Sequence, residues 1–260
     1  KRIQQAVLPG DNEFKNNFRD SFVLFKPKDI VSGDFYWFTK IKPTLSGRRA
    51  DTSRTVEEGD KEYIIYATAD CTGHGVPGGF MSMLGTSFLN EIINEGKVVD
   101  PSKALNQLRD KIISGLKQTG ATGESKDGMD IVLTVYDLDS NTMNYSAANN
   151  GFYLIRNGEL IEHNADKQPI GYYGDAMKPF TLNKIELQPG DCIYTFTDGY
   201  ADQFGGPRGK KLKYKTMEQK LLEIHQLPMS EQHVIMDKLI MDWMGDIEQN
   251  DDICLIGVRI

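Results

Sequence analysis

The chain has 260 residues, of which 39% are hydrophobic and 26% are charged, and it carries a formal net charge of −7. This composition predicts a packed globular chain of one large or two small domains. The acidic balance argues against a broad nucleic-acid-binding surface, and no apolar run reaches the roughly 18 residues of a membrane span. Cys71, Cys192 and Cys254 lie far apart and fit neither a disulfide framework nor a zinc site, which predicts reduced thiols and a cytoplasmic location.

The first ten residues predict the end of a helix. Ile3, Ala6 and Val7 have helical spacing, and Pro9 with Gly10 would terminate the helix. We therefore expect residues 1–10 to be the end of an N-terminal linker helix that packs on the domain or carries a signal from an upstream module. Residues 11–260 are expected to form the main domain.

The next part of the chain predicts three strands, at residues 18–25, 34–41 and 62–70. Residues 44–60 are polar and charged without periodicity, so we expect an exposed loop there. Two helices follow, at residues 79–94 and 101–119. Either Asp100 or Ser102 can cap the second helix, where Pro101 suits the first turn.

The second half of the chain is rich in short strands. Turn residues at 139–141 and 157–158 predict two hairpins. We also expect a hairpin around Pro189 and Gly190. Two helices and a last strand complete the order, and the segments not yet named are predicted at residues 130–136, 142–146, 152–156, 160–163, 180–187, 191–197, 216–226, 230–244 and 253–260.

This order of elements does not alternate strand and helix as a doubly wound sheet does. The predicted class is therefore α+β, an α-β-β-α sandwich of two mainly antiparallel sheets flanked by helices.

Aspartates stand at the ends of four predicted strands. Asp34 precedes an aromatic strand, Asp70 ends an apolar strand before a glycine-rich turn, and Asp198 follows another apolar strand. Asp251 and Asp252 precede the last strand. Stacked strands bring their ends together, and converging carboxylates repel one another unless cations neutralise them. The pattern predicts oxygen ligands for Mg²⁺ or Mn²⁺.

Four blocks carry a resemblance to a known family. They are DIVSGDFY at 29–36, ADCTGHGVP at 69–77, TDG at 197–199 and DDIC at 251–254. In this order and spacing they resemble the metal-dependent PPM (type-2C-like) protein phosphatases, closest to the bacterial SpoIIE/RsbU-type branch. The resemblance covers nearly the whole chain.

The resemblance implies a hydrolase that removes phosphate from phosphoserine and phosphothreonine through a water activated by two Mn²⁺ or Mg²⁺ ions. Asp70 would bridge both ions. Asp198 and Asp251 would complete one ion, and the backbone carbonyl of Cys71 would bind the other, with Asp34 held close. Asp252 would support these ligands without contacting an ion, or it would be the ligand instead of Asp251.

Some features depart from the family pattern or leave choices open. His74 stands four positions after Asp70, which puts a general-acid role in doubt. An arginine that grips phosphate in some relatives has no clear match, and Lys26 or Lys28 would have to serve. The basic stretch with Lys210 and Lys211 is either a solvated loop or a flap that binds an anionic phosphopeptide.

The resemblance also implies partners. Members of this branch sit at the C-terminal end of sensor proteins and act on phosphorylated anti-sigma-factor antagonists. We expect a phosphoprotein substrate, an upstream sensor in the same chain that is itself able to lie in a membrane, and pairing of two chains through the N-terminal helix.

Two other functions remain open from sequence. One is an inactive, phosphatase-like module that binds a phosphoprotein without hydrolysing it. The other is a metal-dependent hydrolase of a small phosphoester. The four filled aspartate positions argue against the first, and the basic stretch weakly favours a protein substrate over the second.

Overall fold

The computed structural model describes residues 4, 8–10, 12–42, 61–121, 126–174 and 177–260. Over these residues, two five-stranded antiparallel sheets face each other and helices cover both outer sides. The predicted α-β-β-α sandwich is confirmed. The predictions for residues 44–60 and for the helical spacing of Ile3, Ala6 and Val7 lie outside the described residues.

The elements are numbered in chain order. The strands are β1 (Asp20–Lys26), β2 (Phe35–Ile41), β3 (Tyr63–Cys71), β4 (Met129–Asp137), β5 (Thr142–Ala148), β6 (Phe152–Arg156), β7 (Glu159–His163), β8 (Asn183–Glu186), β9 (Cys192–Phe196), β10 (Phe204–Gly205), β11 (Lys210–Lys211) and β12 (Ile253–Arg259). The helices are α1 (Asn12–Asn17), α2 (Gly75–Leu89), α3 (Pro101–Gly115), α4 (Gly199–Asp202), α5 (Tyr214–Ile224) and α6 (Met229–Met244), with a π-helical turn (Asn90–Glu95) after α2.

One sheet has the strand order β1-β12-β9-β6-β7 and the other has the order β2-β3-β4-β5-β8. Apolar and aromatic side chains from both sheets fill the space between them, and α1 adds Phe14 to this layer. Tyr66 and Tyr136 stack there with ring centroids 5.7 Å apart. The outer face of the second sheet packs on α2 and α3, and that of the first sheet packs on α5 and α6.

One predicted hairpin is wrong. β8 pairs with β5, whereas β9 pairs with β6 and β12 in the other sheet. The turn between β8 and β9 therefore carries the chain from one sheet to the other. The carboxylate of Asp191 holds this turn, because it accepts from the backbone N–H of Gln188 at 2.8 Å and from the Arg156 guanidinium at 2.8 and 2.6 Å.

The four helices predicted between residues 79 and 244 are present with shifted ends, whereas α1 and α4 were not predicted. α2 begins at Gly75, four residues earlier than expected, and α3 ends at Gly115. Asp100 caps α3, with its Oδ1 accepting from the N–H groups of Ser102 and Lys103. The basic stretch after α4 forms a small hairpin of β10 and β11. No helix within the described ranges is long and apolar enough to cross a membrane.

Candidate active site

The first two aspartates of the candidate site are neighbours in one sheet. Asp34 directly precedes β2, and Asp70 is the last residue but one of β3. These strands pair with Phe35 opposite Ala69. Because the residues that flank this pair lie side by side, the loop before β2 brings Asp34 to the end of β3 where Asp70 lies.

The other two aspartates come from the second sheet. Asp198 follows β9 and Asp251 precedes β12, and these two strands are paired. Thr197 locks the two ends together, since its N–H donates to the carbonyl of Cys254 and its Oγ1 accepts from the N–H of Cys254, both at 2.9 Å. Asp198 and Asp251 therefore lie at the same edge.

A contact between the two sheets holds the two pairs of aspartates near each other. The hydroxyls of Thr68 on β3 and Thr195 on β9 are 2.6 Å apart in the buried interior. Each threonine lies two or three residues before an aspartate, Asp70 or Asp198. The sandwich therefore holds Asp34, Asp70, Asp198 and Asp251 at one end, and we call these four residues the acid cluster.

Burial and like charge act together on the acid cluster. Burial raises the pKa of Asp34 well above its usual value; a hydrogen bond from Thr197 lowers it, and the neighbouring aspartates raise it further. The side chain is 2% exposed, and its Oδ2 has no hydrogen-bond partner among the described residues. A buried carboxylate oxygen without a donor is a costly arrangement that a proton or a cation would relieve.

The same forces act on Asp70 and Asp198. Burial raises the pKa of Asp70, and the charges of Asp34, Asp198 and Asp251 raise it further. Burial also raises the pKa of Asp198, with the charge of Asp251 next in importance. Neighbouring carboxylates such as those of Asp70 and Asp198 cannot both ionise easily, because their negative charges repel each other. The cluster therefore favours any species that brings positive charge.

Asp252 has a different environment from Asp251. It is 2% exposed, and its two carboxylate oxygens accept from the backbone N–H groups of Lys28 and Gly33, each at 2.7 Å. Its carboxylate ties the loop that carries Asp34 to the start of β12. The carboxylate of Asp251 accepts only the N–H of Asp252, at 2.9 Å, within the described residues.

The turn after β3 needs its glycines. A Cβ placed on Gly78 would lie 2.1 Å from the carbonyl oxygen of Gly73, and one placed on Gly33 would lie 2.4 Å from the same atom. The Cβ on Gly33 would also lie 3.2 Å from the carbonyl oxygen of Cys71. These close approaches set the Asp34 loop directly against the Cys71 carbonyl. Burial raises the pKa of the Cys71 thiol well above its usual value, so the thiol stays protonated.

Three side chains beside the cluster were missed from sequence. Asp130 lies opposite Asp70 in the pairing of β3 and β4, and Asn149 donates to its Oδ1 at 2.9 Å. Burial raises the pKa of Asp130, whereas the hydrogen bond from Asn149 and the positive charge of Lys167 lower it. Asp130 opens an apolar strand as Asp34 does, so the strand-end pattern could have found it. Lys167 carries no such local signal.

Comparison with known proteins decides the family. The family model described as stage II sporulation protein E (SpoIIE) matches residues 60–260, more than half of the chain. The chain belongs to the SpoIIE family. No curated protein sequence matches it.

Solved structures similar to this SpoIIE-family chain have the PP2C fold. The SiaA-PP2C domain of Pseudomonas aeruginosa is 26% identical, with a TM-score of 0.80 over 100% of this chain and 93% of the other. The PP2C phosphatase domain of SpoIIE with a regulatory fragment, from Bacillus subtilis, is 18% identical, with a TM-score of 0.67 over 93% and 63%. The RsbU and RsbW domains of Rv1364c from Mycobacterium tuberculosis are 18% identical, with a TM-score of 0.63 over 92% and 60%.

His74 of this SpoIIE-family chain lies at the surface before α2. Its Nδ1 is 2.8 Å from the Oδ2 of Asp29, and the two side chains are 53% and 44% exposed. The pair joins the glycine turn to the loop that carries Asp34.

The candidate substrate-binding lysines differ in how far they are already engaged. Lys211 on β11 forms an ion pair at 2.7 Å with Asp202, which follows Asp198 by four residues in the sequence. Lys210, the preceding residue, is exposed. Lys26 pairs with Asp237 at 2.8 Å. Substrate contacts by these lysines stay predictions.

The fit of the SpoIIE-family site to divalent cations rests on its oxygen donors. Aspartates from four strand ends, a buried oxygen of Asp34 without a donor and the nearby Cys71 carbonyl are the donors that hard cations prefer. No three His, Cys, Asp or Glu side chains in the described part of the chain stand in ready-made ligand geometry. The donors therefore fit in type and location, and closing them around an ion requires side-chain adjustment.

Proposed function

We propose that this SpoIIE-family chain is a metal-dependent protein phosphatase that hydrolyses phosphoserine or phosphothreonine on a partner protein. The observation that carries the proposal is the convergence of four aspartates from two sheets, one of them with a buried, unpartnered oxygen. The family and the PP2C fold of its structural neighbours support the same reaction.

The proposed roles are those that the resemblance to PPM phosphatases implies. Asp70 interacts electrostatically with Asp34, Asp198 and Asp251, and it would bridge two Mn²⁺ or Mg²⁺ ions. Asp198 and Asp251 would hold one ion, and the Cys71 carbonyl would hold the other, with Asp34 beside it. When bound there, two cations would supply a water of lowered pKa and would neutralise charge on the phosphoryl oxygens.

We assign Asp252 to positioning and not to metal binding. Both of its oxygens already accept backbone N–H groups, and these bonds hold the Asp34 loop. Asp251 keeps a carboxylate that can turn toward a cation. This choice between adjacent residues follows from the hydrogen bonds, which sequence alone does not reveal.

The proposed substrate is a phosphorylated regulatory protein of the kind recognised by RsbU-type phosphatases, such as an anti-sigma-factor antagonist. The occurrence of RsbU and RsbW domains together in the Mycobacterium tuberculosis neighbour supports this class. An upstream module in the same chain is proposed as the source of the signal, and pairing of two chains through the N-terminal helix is a further proposal.

One contact offers a route for such a signal. The buried side chain of Gln4 donates to the Ser32 carbonyl at 2.6 Å and to the Ser82 hydroxyl at 2.9 Å, and it accepts the Ser32 N–H at 3.0 Å. Ser32 lies two residues before Asp34, and Ser82 lies on α2. Movement of the N-terminal segment would therefore reach the Asp34 loop directly.

The test measures the release of phosphate from a generic phosphoester by the purified chain, with Mn²⁺, with Mg²⁺ and with a chelator. We expect metal-dependent turnover that Asp70→Asn reduces by about 1000-fold or more, because the bridging carboxylate is lost. Asp110→Asn is the matched control, since Asp110 is exposed on α3. Wild-type turnover in Asp70→Asn would contradict the proposal.

A substrate panel then separates the remaining functions. A phosphopeptide hydrolysed much faster than a small phosphoester supports the protein phosphatase. The reverse preference would favour a hydrolase of small phosphoesters. Metal and phosphopeptide binding without turnover would indicate the inactive binding module.

A further inference from the structure

A short backbone segment, residues 165–170, runs beside the acid cluster, and hydrogen bonds hold its N-terminal part in place. The N–H of Asp166 donates to the carbonyl of Ala147 at 3.1 Å, and the carbonyl of Asp166 accepts from the N–H of Asn149 at 2.8 Å. The Asp166 carboxylate accepts the N–H and the hydroxyl of Thr181 at 2.7 and 2.9 Å. The segment is thus attached to the end of β5.

The other side of the segment is fixed as firmly. Gln168 is buried, and its side chain bonds the N–H and the carbonyl of Lys178 at 2.9 and 2.8 Å. The buried guanidinium of Arg109 on α3 donates to Gln168 Oε1 at 3.2 Å. Ile170 exchanges two backbone bonds with Met129 at the start of β4.

Lys167 lies between these two anchors, and its side chain is exposed. Among the described residues its ammonium has one hydrogen bond, a long one of 3.5 Å to the carbonyl of Asn149. Lys26 and Lys211 differ, because each has a carboxylate partner within 2.8 Å. Lys167 therefore combines a fixed backbone with a cation that is free to take a stronger partner.

A cavity of about 250 Å³ opens beside Lys167. Asn149, Asn150 and Tyr214 line it with Lys167. Asn149 also holds Asp130, which lies opposite Asp70, and Asn150 donates to the carbonyl of Phe196, two residues before Asp198. The cavity therefore lies next to residues that contact neighbours of the acid cluster, although no aspartate of the cluster lines it and Glu162 and Glu218 do.

The chemistry of the site calls for a cation at this position. A phosphomonoester dianion approaching four aspartates meets like charge, and it needs positive groups on more than one side. A lysine ammonium binds phosphate oxygens as a compact point charge with three donors. Lys167 acts electrostatically on Asp130, which pairs with Asp70, and no carboxylate of the described residues forms an ion pair with its ammonium.

We propose that Lys167 binds a phosphoryl oxygen of the substrate and orients the phosphoryl group at the acid cluster. This inference rests on the phosphatase function proposed above. It adds a substrate-binding residue that is distinct from Lys26 at the end of β1 and from Lys28 after it.

The experiment compares Lys167→Met and Lys167→Arg with wild type in the presence of Mn²⁺. Lys184→Met is the matched control, since Lys184 is exposed in the middle of edge strand β8. The readouts are kcat/KM on a small phosphoester and on a phosphopeptide, inhibition by inorganic phosphate, the Mn²⁺ concentration for half-maximal activity and the melting temperature.

We expect Lys167→Met to lower kcat/KM about 10- to 100-fold on both substrates, the loss of one hydrogen bond to a charged group. Inhibition by phosphate should weaken in parallel, Lys167→Arg should recover part of the loss, and melting temperature and Mn²⁺ dependence should stay those of wild type. The Lys184→Met control should match wild type throughout.

Other outcomes overturn the inference. Wild-type kinetics in Lys167→Met, or a loss confined to the phosphopeptide with unchanged phosphate inhibition, excludes contact with the phosphoryl group. A shifted Mn²⁺ dependence or melting temperature assigns Lys167 to the support of Asp130.

Calorimetry of inorganic phosphate binding to the Mn²⁺-loaded protein tests the inference without turnover. If wild type binds phosphate but turns over no substrate, the proposed hydrolysis fails, while weaker phosphate binding in Lys167→Met still supports the contact. If wild type turns over substrate and Lys167→Met binds phosphate equally well, only the contact fails. If wild type neither binds phosphate nor turns over substrate, both proposals fail.

Discussion

At the scale of single residues, adjacent aspartates before β12 have opposite environments. Asp252 is enclosed and holds two backbone N–H groups of the loop that carries Asp34, whereas the carboxylate of Asp251 is half-buried and open to a cation. The two adjacent carboxylates therefore have different roles. One carboxylate fixes the shape of the site and the other remains available to act in it.

This difference gives a paired prediction. Asp252→Asn should lower the free energy of unfolding of the metal-free protein by about 1–3 kcal/mol, because an amide cannot accept both N–H groups. Asp251→Asn should not lower the stability of the metal-free protein, because it removes one of four like charges, and it should abolish most turnover. Urea unfolding and phosphate release measure the two effects. Equal stability of the two variants would contradict the assignment.

At the scale of elements, the turn between β3 and α2 and the loop before β2 are packed backbone against backbone. Gly78 and Gly33 both approach the carbonyl of Gly73, and the Cys71 carbonyl faces the same loop. A side chain at either glycine would push the loop away and carry Asp34 with it. The glycines of this turn therefore serve the site as well as the fold.

Gly78→Ala tests this packing. The new Cβ would lie 2.1 Å from a backbone oxygen, so we expect a displaced turn and a loss of turnover of about 100-fold, comparable to a displacement of about 1 Å in other active sites. Gly115→Ala is the control, because a Cβ there meets only the side chain of Phe88 at 3.7 Å. Retained activity in Gly78→Ala would contradict a role for the close approach.

At the scale of the whole molecule, the acid cluster is a joint between two sheets. Asp34 and Asp70 lie at the end of one sheet, and Asp198 and Asp251 lie at the end of the other. Their mutual repulsion opposes the packing of the sandwich in the metal-free protein. Cations bound between them would replace that repulsion with attraction and so favour the folded state.

The pH dependence of stability follows from this repulsion. Burial and like charge raise the pKa values of Asp34, Asp70 and Asp198 above those of the unfolded chain. The folded state then binds more protons, so the contribution of these groups to stability is greatest below about pH 4 and is lost as pH rises through the folded pKa values.

We therefore expect the melting temperature of the metal-free protein to fall between about pH 5 and about pH 8, and Asp70→Asn to reduce that fall. Mn²⁺ at 100 times its dissociation constant should add about 2.7 kcal/mol to wild type and much less to Asp70→Asn. Thermal melts with Mn²⁺ and with chelator measure both. A melting temperature that rises with pH in wild type and variant alike would argue against repulsion in the cluster.

The sequence by itself determined the architecture and the acidic character of the site. Strand periodicity, turn residues and helix caps are local signals, so the α+β class and most strands could be read directly, and the cap of α3 could be narrowed to Asp100 or Ser102. Aspartates at strand ends also predicted the location of the cluster, because strands that stack in sheets bring their ends together.

Only the tertiary structure decided which residues meet across the chain. The pairing of β8 with β5 depends on where a turn sends the chain, which the local sequence of that turn does not specify. Hydrogen bonds between loops distant in sequence separate Asp251 from Asp252. Lys167 stands beside Asp130 because Arg109, Gln168 and Asp166 fix its backbone there. Such contacts arise from packing between distant segments, so no local pattern of residues predicts them.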